Sequence, residues 1–296
     1  MGRISLWSLI IGLALLAGCA SNPKADFAKQ SNEVCKSYDP QLAFTLGQLS
    51  AAAYENKLSK RKNAVARLDF TFDREVQDPD HGTQGFLVYN DKIAVVVLTG
   101  TEDVKDLLKD AQVWTQEGTK DPKCGKKVSI HNGFYQALSN IKKDQSLFQR
   151  LTQLQRQGRK IYFTGHSLGG ALAAILAYFT SLDHPDIQVA GVYTFGQPHT
   201  GTSSFQKCYD ARLKNRTFRF VNSDDAIPRI KPTDNYEHVG IPIYFDSQGK
   251  IVEEADFSAF NSVGSFIDSP FINDHDISNY LNHLEKNKNN HPFSCQ

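Results

Sequence analysis

The sequence predicts an α/β fold, a mostly parallel central sheet with helices on both faces. Three observations carry this. Strand-like and helical segments alternate through the middle of the chain, and the run Ile93 to Leu98 is continuously apolar, as a strand buried on both faces must be. A glycine-rich turn, Gly165 to Gly170, then joins a strand pattern to a helix of small residues.

In chain order, Asp39-Pro40 opens a helical stretch, QLAFTLGQLSAAAYEN, with apolar residues at helical spacing. Two strand-like runs follow, ARLDFTF and GFLVYND, and the second turns through Asn90-Asp91 into KIAVVVLTG as a hairpin. From Thr101 the pattern is helical, with Val104, Leu107, Leu108 and Ala111 on one face. A Gly/Pro/Lys-rich loop leads to one long helix from about Phe134 to Gln157. Then come the strand KIYFTG, the helix LGGALAAILAYF, the strand VAGVYTFG, a short helix near Ser203 to Ala211, and the strand TFRFVN. GIPIYFD and KIVEE form a terminal hairpin through Ser247-Gln248-Gly249, and a last helix covers about Asp276 to Glu285. There is no internal repeat and no linker after Asp39, so residues 39–296 read as one domain.

The chain has 296 residues, of which 40% are apolar and 22% charged, and this is enough to bury a substantial core. A formal net charge of +1 gives no overall field favouring nucleic acid. The first 18 residues stand apart. Arg3 precedes an apolar run from Leu6 to Leu16, the length of a signal-peptide core and short for a membrane span. Leu16-Ala17-Gly18-Cys19 resembles the lipobox of bacterial lipoproteins. That resemblance implies cleavage before Cys19, lipid on its thiol and new amino terminus, and a cell-envelope location. Ala20 after the cysteine favours the outer membrane in a Gram-negative cell. Residues 20–38 are polar and aperiodic and read as a tether.

Without Cys19, four cysteines remain: Cys35, Cys124, Cys208 and Cys295. In an oxidising compartment they suggest two disulfides, and three pairings are open. Pairing Cys35 with Cys295 would tie the two ends of the mature chain together. No CxxC or His/Cys cluster suggests a metal site, and no cofactor is expected.

Gly165-His166-Ser167-Leu168-Gly169 is a GxSxG pattern. A chain this long shows one by chance about one time in ten at ordinary Gly and Ser usage. The setting between the buried-strand pattern IYF and an Ala/Leu-rich helix is what a nucleophile elbow requires. Such a turn strains the serine backbone, flanking glycines relieve the crowding, and the helix start aims its free N–H groups at the same point. A serine nucleophile needs a base, and the base an orienting acid, in the chain order Ser, acid, His for this class. Ser223-Asp224-Asp225-Ala226-Ile227-Pro228 follows a strand, and His238, His275, His283 and His291 come later as candidate bases.

These motifs together resemble the class 3 lipases, the family of the fungal triacylglycerol lipases, from about residue 43 to residue 281. The similar segments are Gly100-Thr101 after VVVL, Asp106 and Asp110, His131-Asn132-Gly133-Phe134, GHSLGG, Phe195-Gly196-Gln197-Pro198, Asp225-Ala226-Ile227-Pro228, and His275 before Tyr280. The resemblance implies an α/β-hydrolase fold with Ser167 as nucleophile, Asp225 as acid and His275 as base. It implies an oxyanion hole from the backbone N–H groups of Leu168 and Thr101. His238 becomes a scaffold residue, His283 a surface residue, and His131 and His166 supporting residues beside the site. Leu98-Thr99 in place of the family's Phe-Arg, and His199 in place of its Arg, depart from the pattern.

In fungal relatives a helix just after the first oxyanion residue acts as a lid. The corresponding stretch here is 102–114, which serves equally as a helix packed permanently on the sheet. The expected substrate is a lipid or other carboxylic ester, with lipase, phospholipase A1 and short-chain esterase all open. A reading of a different class is an envelope lipoprotein that uses the fold as a non-catalytic binding module. Intact Ser, Asp and His in the required order favour the enzyme.

Overall fold

The computed structural model describes residues 32–78, 82–100, 115–223, 225–252 and 274–293. The expectations for Cys19, Cys295, Thr101, Asp224 and the 102–114 lid fall outside them.

Period-two alternation builds the sheet. In β3 (Ile93–Leu98), Ala94, Val96 and Leu98 join one apolar cluster, whereas Val95 and Val97 join another on the opposite face. The same division separates Phe163 from Tyr162 in β6 (Lys160–His166) and Val192 from Tyr193 in β7 (Val189–Phe195). Both faces therefore need a covering layer.

Eight strands follow the order β1-β2-β3-β6-β7-β9-β11-β12, with β1 at Thr71–Asp78, β2 at Gly82–Tyr89, β9 at Thr217–Asn222, β11 at Ile241–Phe245 and β12 at Ile251–Val252. β3, β6, β7, β9 and β11 run parallel, and β1, β2 and β12 are antiparallel margins. Asn90 closes the β2–β3 hairpin as expected, its side-chain oxygen accepting from the N–H groups of Lys92 and Ile93 at 2.9 Å.

Eight α-helices lie among the described residues: α1 Asn32–Ser37, α2 Pro40–Ala52, α3 Leu58–Ala66, α4 Asn132–Ala137, α5 Gln145–Arg156, α6 Leu168–Asp183, α7 Ser203–Leu213 and α8 Ile277–Asn287. α1, α2 and α8 cover one face. α5, α6 and α7 cover the other. α6 is buried nearly throughout, which its Ala/Gly/Leu composition permits by close approach to the strands.

Three expectations need correction. Residues 32–37, read as tether, form α1, and Val34, Cys35 and the adjoining Tyr38 are buried in the α2-side cluster. A short helix whose apolar residues are few has too little periodicity to stand out from a polar segment. The strand read over 66–72 begins only at Thr71, because Leu58–Ala66 is a helix held by Arg61, whose guanidinium reaches the Glu55 carbonyl at 2.8 Å and Glu75 at 3.3 Å. The helix read over 134–157 is broken, and Asp144 caps α5 by accepting from Ser146 N–H and Leu147 N–H. A second sheet, β10-β8-β5-β4, escaped the reading. It comprises β4 Thr115–Lys120, β5 Lys127–His131, β8 Gly201–Thr202 and β10 Tyr236–Glu237, two of them only two residues long.

Of the three cysteine pairings, the structure contains Cys124–Cys208, which joins segments 84 residues apart with a Cα–Cα distance of 5.1 Å. Cys35 is also disulfide-bonded.

Candidate active site

The site lies at the C-terminal ends of β6, β7 and β9. Ser167 follows β6 with φ 57° and ψ −129°, an arrangement that places a non-glycine residue in strained backbone. Neighbouring glycines make the turn feasible. A methyl on Gly165 would sit 2.3 Å from the Gly169 carbonyl group, and one on Gly169 2.3 Å from the Leu98 carbonyl oxygen. The Ser167 N–H donates to the Phe195 carbonyl at 2.9 Å, tying the elbow to the end of β7. Leu168 is the first residue of α6, so its N–H has no intrahelical acceptor.

Asp225 comes three residues after β9, in a turn that Arg229 clamps through the carbonyl oxygens of Asp225 and Ser223. Its carboxylate is fully buried and accepts from three donors. Oδ1 takes the Ile227 N–H at 2.9 Å, Oδ2 takes the Tyr280 hydroxyl, and His275 Nδ1 lies 2.8 Å from Oδ2 and 3.1 Å from Oδ1. His275 immediately precedes Asp276, which caps α8 by accepting from Ser278 N–H at 2.7 Å. Asn222 holds the preceding residue by donating its amide to the Asp274 carbonyl at 2.8 Å.

The imidazole is set over Gly196, whose φ of +59° and missing side chain make room for it: a methyl there would lie 2.8 Å from His275 Cε1. Gly196 follows Phe195, the acceptor of the Ser167 N–H, so the ring and the serine are carried to the same strand end. Ser167 Oγ and His275 Nε2 are both buried and neither has a hydrogen-bond partner. An aspartate bound to Nδ1 requires Nδ1 to carry the proton, which leaves Nε2 as a free acceptor.

The other histidines are sorted by their partners. His238 and His199 stack at 3.6 Å and donate to the carbonyl oxygens of Pro228 (2.6 Å) and Ile230 (2.9 Å), so they brace the segment that follows Asp225. His131 is buried against Phe134, with ring centroids 4.3 Å apart. His283 is half-buried rather than on the surface, with its ring 5.4 Å from Phe245 and its Nδ1 2.1 Å from where a Gly249 methyl would stand. His166 packs directly on His275 at 4.6 Å between ring centroids. Tyr54, Asn222 and the contact of Tyr280 with Asp225 carried no signal in the sequence, because each acts across at least 50 residues.

Burial first, then the charge of Arg219, lowers His199 to about 3, and burial likewise holds His238 well below the ordinary histidine range. Both are neutral when folded and charge near pH 6.5 when unfolded, so the unfolded state binds more protons between about pH 6.5 and 3. Stability is therefore highest above this window and falls as pH drops, by about 1.4 kcal/mol per unit for His199. Urea midpoints measured from pH 7 to 4.5 are expected to fall, and to fall less in His199→Gln. Equal slopes in the two proteins would contradict this account.

An eight-stranded, mostly parallel sheet with a strained serine between β6 and α6, and an Asp–His pair on later loops, defines an α/β hydrolase. Residues 95–235 match the family described as lipase (class 3). The toxin TseL of Vibrio cholerae is 28% identical over 196 residues, covering 52% of this chain and 28% of that protein. The lipase ZK262.3 of Caenorhabditis elegans is 30% identical over 206 residues, covering 65% of this chain and 56% of that protein. The chain thus spans between about a quarter and a little over half of these relatives' lengths. Among solved structures, lipase II from Rhizopus niveus is similar with a TM-score of 0.62 and 21% identity, over 79% of this chain and 92% of that one. The fold is that of an α/β hydrolase, and residues 95–235 are similar to the class 3 lipases.

Proposed function

We propose that the chain hydrolyses lipid carboxylic esters through Ser167, His275 and Asp225. The observation that supports this reading is that Ser167 Oγ and His275 Nε2 are both buried without a hydrogen-bond partner, while a carboxylate fixes the imidazole from behind. His275 takes the serine proton as Oγ adds to the ester carbonyl and then passes it to the departing alcohol. Water, activated by the same imidazole, releases the acid from the acyl-enzyme. The N–H of Leu168 at the start of α6 supports a role as oxyanion donor, with Thr101 proposed as the second. The match to class 3 lipases supports an acylglycerol-like substrate over a small soluble ester.

A fluorophosphonate probe is expected to label the folded protein at Ser167 and to leave Ser167→Ala unlabelled. Absence of labelling on folded protein would point to a binding module instead. Turnover is expected to persist along p-nitrophenyl esters of rising chain length and to extend to emulsified acylglycerol. Cleavage of short soluble esters only would make the protein an esterase.

A further inference from the structure

His275 is held at two places. Asp225 fixes the ring, and His166 fixes the backbone: His166 Nε2 lies 2.7 Å from the His275 carbonyl oxygen. A carbonyl can only accept, so Nε2 carries the proton. The other nitrogen of His166, Nδ1, lies 2.6 Å from the Tyr54 hydroxyl. In the neutral ring that nitrogen is an acceptor, so the hydroxyl donates to it and holds the ring in place. Tyr54 itself stands against the turn after β3, where a methyl on Gly100 would come within 2.3 Å of its hydroxyl oxygen. One hydrogen-bonded chain therefore runs from Tyr54, which stands beside the Gly100 turn, through His166 to the backbone of His275.

We propose that Tyr54 and His166 are positioning residues that set the height of the His275 ring relative to Ser167, with Tyr54 holding the His166 ring in the orientation that reaches the His275 carbonyl. The proposal rests on His275 being the base. His166 immediately precedes Ser167, so this bond ties the base to the nucleophile's own strand as well as to α8, whose cap follows it. The geometry also explains why His166 must stay uncharged. Its ring centroid is 4.6 Å from that of His275, which becomes an imidazolium each time it accepts the serine proton. A second cation there would oppose that step. Burial, followed by the charge of His275, holds His166 well below the ordinary histidine range, in keeping with a neutral ring.

The alternative role for a buried histidine between two hydrogen-bond partners is packing alone. Three variants separate the two roles. His166→Leu keeps bulk and removes both bonds. His166→Gln keeps an amide N–H that can donate to the His275 carbonyl and an oxygen that can accept from Tyr54. Tyr54→Phe keeps the ring contact and removes the hydrogen bond at His166 Nδ1. With a p-nitrophenyl ester, kcat is expected to fall about 100-fold in His166→Leu and about tenfold in Tyr54→Phe, with KM within about twofold of the parent. His166→Gln should recover at least about tenfold over His166→Leu. In imidazole 15N NMR, the unprotonated His166 Nδ1 resonance should move downfield in Tyr54→Phe, as that nitrogen loses the hydroxyl's hydrogen bond.

Folded His166→Leu with parental kcat overturns the proposal. So do equal losses in the Leu and Gln variants, or an unchanged Nδ1 resonance in Tyr54→Phe. Should a variant not fold, the NMR arm on Tyr54→Phe decides alone. The control is Ser167→Ala. If it retains turnover, the catalytic reading fails; if it is inactive while His166→Leu is fully active, only the positioning role fails.

Discussion

Asp225→Asn is expected to lower kcat on p-nitrophenyl esters by about 10⁴-fold while leaving the fold intact. The surroundings dictate the orientation of the new amide. The Ile227 N–H points at Oδ1 from 2.9 Å and can only donate, so the asparagine oxygen must remain there. Its NH2 group then takes the Oδ2 position, facing His275 Nδ1 and the Tyr280 hydroxyl. Tyr280 can adapt by accepting. His275 cannot do so without becoming the wrong tautomer: with Nδ1 as acceptor the proton moves to Nε2, and the nitrogen that should receive the serine proton already holds one. The decisive measurement pairs steady-state kinetics with a urea melt. A midpoint close to the parent's with activity reduced by less than tenfold would remove Asp225 from the mechanism.

The second large effect is structural. Gly169→Ala is expected to reduce stability by about 3 kcal/mol or more, because overpacking against backbone cannot be relieved by a rotamer change. The added methyl would lie 2.3 Å from the Leu98 carbonyl oxygen, 2.8 Å from the Thr99 carbonyl carbon and 2.9 Å from the Gly100 nitrogen. All three are backbone atoms at the end of β3. The only relief is for α6 to move off the sheet, which carries the Leu168 N–H away from Ser167 and the turn at Gly100. Since a domain of this kind has total stability of only about 5–15 kcal/mol, poor soluble yield is the expected outcome. A parental urea midpoint would show that the gap between α6 and β3 is wider than it stands here.

Both results concern residues that were legible in the sequence, and for a definite reason. The elbow is a local object: strand, five residues and helix are contiguous, and the chemistry demands glycine on either side of the serine. The parallel sheet was legible too, since a strand such as β3 with both faces covered must be continuously apolar, and α6 must be small-sided to approach it. Chain order alone narrowed the proposed acid to the turn after β9 and the proposed base to the histidines beyond it.

Position along the chain says nothing, however, about distances across it. That Asp225 receives Tyr280 as well as His275, that His199 and His238 stack beneath the same turn, and that Tyr54 meets His166 from 112 positions away are products of packing. The same limit hid the second sheet, whose two-residue strands are too short to show a period, and α1, whose few apolar residues acquire a pattern only against Tyr193, Phe218 and Phe220. The sequence by itself determined the fold class and pointed to the candidate serine and the order of its proposed partners, because these follow from local periodicity and from covalent connectivity. Only the tertiary structure decided how His275 is held: hydrogen bonds between distant residues are directional, and their donors and acceptors acquire a direction only once the strands are side by side.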